Sequence, residues 1–170
     1  VVTLHFGGGE DSSGNAEKHG LTEYATRLEL TPGEEVHSTL AHASEPAMNN
    51  PDAQRRFSEY CTFNAELIAE LAHELNRAGL LGDTVILWTS SIGTGWHEMG
   101  DVPYVIIGGG NGLLKTGRYL NFARDGVHPL KDELSGPSHN QLLVSLCHAV
   151  GFTDMNSVGH DTISGYQKKR

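Results

Sequence analysis

Thr84-Val85-Ile86-Leu87-Trp88-Thr89 is a continuous apolar run, and Val102-Pro103-Tyr104-Val105-Ile106-Ile107 is a second one that breaks at Gly108-Gly109-Gly110. Runs without polar alternation suit central strands covered on both faces. Upstream, Asn50 can cap a helix, Pro51 fits its first position, and Asp52 places negative charge in its first turn. Phe57, Tyr60, Cys61, Asn64, Leu67, Ile68, Leu71 and Leu75 then recur at three- and four-residue steps, with Arg55, Glu59, Glu66, Glu70 and Glu74 largely away from that face. The spacing predicts an amphipathic helix over 52–78 that stops near Gly79 or Gly82. Downstream, Ser138-His139-Asn140-Gln141 has a capping-box pattern ahead of Leu142, Leu143, Leu146, Cys147 and Val150, so a second helix is expected to end at Gly151. Helix, strand, loop, strand, helix is α/β grammar, and the expected fold is α/β: a mixed, mostly parallel sheet flanked by helices.

The rest of the chain is read around that frame. Val1 to Phe6 is rich in strand formers and ends at Gly7-Gly8-Gly9, residues 10–20 are a polar loop, and Tyr24 to Leu30 is a further strand candidate. Val36 to Asn50 is irregular, and Leu113 to Phe122 reads as a turn with an edge strand or hairpin. Residues 1–170 are expected to form a single domain, with 152–170 as a surface tail. A chain that opens inside a core strand is more simply explained as processed, or as a piece of something longer, than as a native start.

Composition narrows the partners. The 170 residues carry 12 Lys+Arg against 21 Asp+Glu, a formal charge of -9, and the only basic run is Lys168-Lys169-Arg170. Phosphate backbones and anionic membranes are bound by clustered Lys and Arg, so neither is an expected partner. No stretch approaches the roughly 20 apolar residues of a membrane span. Cys61 and Cys147 fall on the inner faces of the two expected helices, where buried thiols are the default and a disulfide needs adjacent helices in an oxidising compartment.

Three stretches carry candidate chemistry. Gly108-Gly109-Gly110-Asn111-Gly112 lacks the Lys-Ser/Thr ending of a phosphate loop and the spacing of a dinucleotide fingerprint, which leaves a nucleotide-binding module as the weakest reading. Ser90 to Asp101 (SSIGTGWHEMGD) leaves the C-terminal end of the first apolar run, where open α/β sheets place ligands. His97, Glu98 and Asp101 there supply donors for a divalent metal or an acid and a base for hydrolysis. His37 and His42 flank Leu40, and His139 sits at an expected helix N-terminus, whose dipole favours the neutral imidazole that binds metal.

The order TVILWTSSIGTGWHEMGDVPYVIIGGGNGLLKTGRYLNF, then GPSHNQLLVSLCHAVGF, resembles the C-terminal half of secreted bacterial proteins of unknown function named for an HxxSHH motif, distant relatives of the alkaline phosphatase and sulfatase superfamily. The resemblance covers residues 36–160 and implies an alkaline-phosphatase-like half domain, export to the periplasm or beyond, and an association with other protein chains or a missing N-terminal half. This chain departs from the motif: Ser38, Ala41, His42 and Ala43 stand where it carries His, Ser and two adjacent His. Ser91 and Ile92 stand where the metal-dependent members carry an Asp-His pair. Those residues cannot complete a two-metal site.

Two functions follow as expectations. The first is a non-catalytic or degenerate secreted domain acting in binding or assembly, with homo-oligomers as one form. The second is a metal-dependent phosphate or sulfate ester hydrolase, with His42, His97 and His139 as ligands of zinc, calcium or manganese and Glu98 and Asp101 as catalytic carboxylates.

Overall fold

The computed structural model describes residues 22–31, 34, 36–97, 102–122 and 139–158. In chain order these form α1 (Thr22–Arg27), a π-helix (His37–His42), a 3-10 turn (Pro46–Met48), α2 (Pro51–Arg77), a second 3-10 turn (Leu81–Asp83), β1 (Ile86–Thr89), β2 (Tyr104–Ile107) and α3 (His139–Ala149). The chain divides into two compact units, Val1–Leu71 with Ser91–Val102, and Ala72–Ser90 with Pro103–Arg170.

The expected fold class is corrected. Among the described residues the sheet has two strands, and they run antiparallel, pairing Ile86 with Ile107, Leu87 with Ile106, Trp88 with Val105 and Thr89 with Tyr104. A parallel pair needs a crossover that returns the chain to the starting end of the sheet, usually a helix, and the described part of 90–103 holds only bends and a turn. Apolar continuity signals burial and says nothing of strand direction. Even the burial is partial, since Val105 remains 41% exposed. About half of the described residues are helical, so the expected mostly parallel sheet flanked by helices, with its half-domain architecture, is not found among them.

Two local expectations are also corrected. Tyr24 to Leu30 is no strand: α1 occupies Thr22–Arg27 and closes with Glu29 in the left-handed region at φ 52, its N–H donating to the Thr26 carbonyl and that of Leu30 to Ala25. Leu113 to Phe122 forms no strand, only a turn followed by chain without regular structure. The strand expected at Val1 to Phe6, Ser138, and the tail beyond residue 158 lie outside the described residues.

In the first unit, Leu28, Val36 and Leu40 are buried against Ala25, Leu30, Phe57, Tyr60 and Phe63. Removing Leu28 and Leu40 from water contributes about 1.5 to 3 kcal/mol each. α2 starts as its sequence requires, with the Ala53 N–H donating to Asn50 Oδ1 at 3.1 Å, and stops at Gly79, φ 72, where the Leu80 N–H reaches the Leu75 carbonyl at 2.8 Å. It buries Ala53, Asn64 and Ile68, with Asn64 Nδ2 donating to the Tyr60 carbonyl. Cys61, expected on the inner face, is exposed, and both cysteines are free thiols. Arg56 ties α2 to the end of α1: Nε donates to the Leu28 carbonyl at 2.7 Å, and Nη2 to the Glu29 carbonyl at 3.1 Å and Glu34 Oε1 at 2.8 Å. Arg27 pairs with Glu59 and Glu66, and its guanidinium lies over the Phe63 ring.

In the second unit, the glycines after β2 are explained by docking. The Gly109, Gly110 and Asn111 N–H groups donate to the carbonyls of Leu81, Thr84 and Gly82, so they are spent on the chain itself and cradle no phosphate. A Cβ on Gly108 would stand 2.2 Å from the Thr84 oxygen, and one on Gly109 2.4 Å from the Gly82 oxygen. α3 buries Leu146 and Ala149 and ends at Gly151, φ 95. Asn140 clasps the following chain, donating to the Val158 carbonyl at 3.0 Å and accepting its N–H at 2.9 Å.

Candidate metal centre

His37, His42 and His97 converge. One ligating atom from each lies within 4.8 Å of the others, and the Nε2 atoms of His37 and His42 are 2.9 Å apart, with one ring donating to the other. The His42 and His97 rings stack with centroids 5.2 Å apart and planes at 27°, and Trp96 sits 5.9 Å from the His42 ring.

The local backbone explains the convergence. In an α-helix, residues five apart point about 140° away from each other. His37 to His42 winds instead as a π-helix, whose wider turn brings the fifth residue round to the same side. Leu40 between them is fully buried and fixes the helix on the core. The segment expected to be irregular is therefore ordered, and its unusual winding is what pairs the two imidazoles.

His97 arrives from a separate loop. It follows a turn in which its N–H donates to the Thr94 carbonyl at 3.1 Å, and its own backbone is left-handed at φ 65. Histidine tolerates that region better than most residues, yet a non-glycine there costs on the order of 1 to 3 kcal/mol and persists only where neighbours hold it. The holding contact is Gly95, whose N–H donates to the Glu45 carboxylate. A Cβ at Gly95 would stand 2.7 Å from the Ala41 oxygen and 2.8 Å from Glu45 Oε1, so only glycine lets the loop lie against the π-helix.

His42 Nδ1 is buried and has no hydrogen-bond partner. Leaving such a nitrogen unpaired costs about 1 to 3 kcal/mol, and it is the other ring nitrogen of His42, Nε2, that meets His37. Zinc sits about 2.0 to 2.1 Å from imidazole nitrogens, which in a tetrahedron separates them by about 3.3 Å. The His37–His42 contact is close to that spacing, and the His97 nitrogen lies within 4.8 Å of both.

Of the residues expected to form the site, the structure brings His42 and His97 together. His139 belongs to the other compact unit, at the start of α3, where its ring meets Tyr104 edge-on with centroids 5.3 Å apart. Burial pushes the Tyr104 hydroxyl's pKa up, partly offset by its hydrogen bond with Thr89. Glu98 and Asp101 lie outside the described residues. His37 is not among the expected ligands, since the resemblance aligns only His42 with a histidine of the motif and the segment reads as irregular; the pattern His-x4-His is the signal that π winding makes meaningful. No protein-family model, no curated protein and no solved structure matches the chain.

Proposed function

We propose that this chain is a metal-binding domain in which His37, His42 and His97 hold one zinc-class divalent ion. The observation that carries the reading is the approach of three imidazoles from two separate segments to within 4.8 Å of one another. Among zinc, calcium and manganese, imidazole donors favour zinc, since calcium and manganese prefer carboxylate, carbonyl and water oxygens. The function proposed is binding, in line with the departures from the two-metal pattern at Ser91 and Ile92.

Zinc titration by calorimetry tests it. The expected outcome is one ion per chain, with the heat abolished when all three histidines are replaced by alanine. Unchanged binding by that triple variant, or none by the parent, overturns the reading.

A second reading, assembly with another copy of the chain, is favoured by the stretch in which Leu113, Tyr119, Leu120 and Phe122 are 66%, 90%, 52% and 61% exposed. Apolar side chains exposed in this number within ten residues are the material of an interaction surface. Light scattering of the parent against a Tyr119→Ser/Phe122→Ser double variant tests it: a dimer that the variant loses supports assembly, and a monomeric parent removes it. No described helix is long and apolar enough to cross a membrane.

A further inference from the structure

Resting on the metal-binding reading, we propose that the His37–His42–His97 centre is coordinatively open and takes a monodentate anion from solution as its fourth ligand, with Trp96 forming one wall of that position. Four-coordinate zinc held by three protein ligands completes its shell with water or an exogenous donor, whereas a purely structural site closes the shell with a fourth side chain.

The surroundings favour the open form. Among the described residues, no carboxylate or thiol joins the three imidazoles. Among the described residues, the carboxylate that the loop meets, Glu45, accepts the Gly95 N–H and lies outside the cluster. The neighbouring side chain is Trp96, whose indole offers a ring face and an N–H but no lone pair for a metal. His97 and Trp96 are both exposed, Trp96 by 53%, so the loop side of the centre opens to solvent.

Charge selects the ligand class. Three neutral imidazoles leave a divalent ion with its full double charge, making it the largest local charge in the site. An anion such as a carboxylate lowers that charge where a neutral donor does not. The exposed indole adds an apolar surface against the organic part of such a ligand, which favours small carboxylates over bare inorganic anions of equal charge.

Cobalt(II) is the probe, because its visible spectrum reports both coordination number and ligand exchange. The full chain is loaded with cobalt(II), and azide and then acetate are titrated in. The expected result is a saturable spectral change with each anion. Trp96→Ala should keep its cobalt affinity and lose about threefold to tenfold in acetate affinity, with azide less affected. A cobalt spectrum indifferent to both anions overturns this proposal alone, because the fourth ligand then comes from the protein. Equal anion affinities in the parent and Trp96→Ala remove the wall. A chain that gives no cobalt spectrum overturns the metal-binding reading and this proposal with it.

Discussion

His37 and His42 are five residues apart in sequence, and their Nε2 atoms are 2.9 Å apart in space. The contact depends on the π winding of the segment between them, and that winding is held by Leu40, which has no exposed surface. Core packing and site geometry are therefore one problem in this unit. The same turn that buries an apolar side chain brings two half-buried imidazoles together.

That coupling predicts that Leu40→Ala does two things at once. The lost burial and the cavity should cost about 2 to 5 kcal/mol, read in urea unfolding, and zinc affinity should fall although no ligand is touched. Preserved affinity in a folded Leu40→Ala chain would separate the core from the site.

Replacing His37, His42 or His97 singly by alanine should weaken zinc binding by more than about 100-fold, beyond what loss of a supporting contact costs. His148→Ala should bind as the parent does. Its Nε2 is engaged with the Met155 carbonyl at 2.7 Å, and it stands outside the cluster. Calorimetry on the four variants settles the assignment.

Gly95→Ala places a methyl carbon against the Ala41 and Glu45 oxygens. The loop must lift from the π-helix, carrying His97 with it, at a stability cost of about 1 to 3 kcal/mol. Zinc affinity should drop while the helical circular dichroism stays at the parent level.

The Glu34–Arg56 pair predicts an acid response. Burial raises the Glu34 pKa, but hydrogen bonds from the Thr31 N–H and hydroxyl and from Arg56 outweigh it, and the net shift is downward from the ordinary 4.5. A carboxyl depressed in the folded state contributes stability that is fully present above its unfolded pKa and is lost as pH falls through the folded value. Urea midpoints measured from pH 6 down to pH 3 should therefore fall, with the drop concentrated below 4.5, and Glu34→Gln should show a shallower fall.

In the second unit, Gly109→Ala should cost about 2 to 4 kcal/mol, because its Cβ would meet the Gly82 backbone oxygen and separate chains joined by three hydrogen bonds. Gly112→Ala has open space around it and meets only its own φ of 82, a cost of about 1 kcal/mol. Similar losses at the two positions in thermal unfolding would refute the docking account of the glycine cluster.

The helices were the most legible part of the chain. Asn50, Pro51 and Gly79 act at the ends of α2 as local chemistry requires, and Gly151 ends α3. Strand direction was not legible, because the run from Thr84 to Thr89 encodes an apolar environment and the direction of its partner is set by the connection. The short helix at Thr22–Arg27 escaped periodicity because six residues span less than two turns, and its position is fixed by Arg56 from a distant helix. Two of the three converging histidines, His42 and His97, were legible as candidates. Their convergence with His37 was not, since it depends on a rare winding and on one glycine that permits a close approach.

Residue 97 meets residue 42 across 55 positions of chain (97 − 42). An ion bridging them is a removable clasp on a long loop. By the chain-entropy relation used for covalent cross-links, closing such a loop restricts the unfolded ensemble by about 4 kcal/mol. Metal supply would then govern how long the molecule survives proteolysis, with a chelator acting on it as a reductant acts on a disulfide-bonded one.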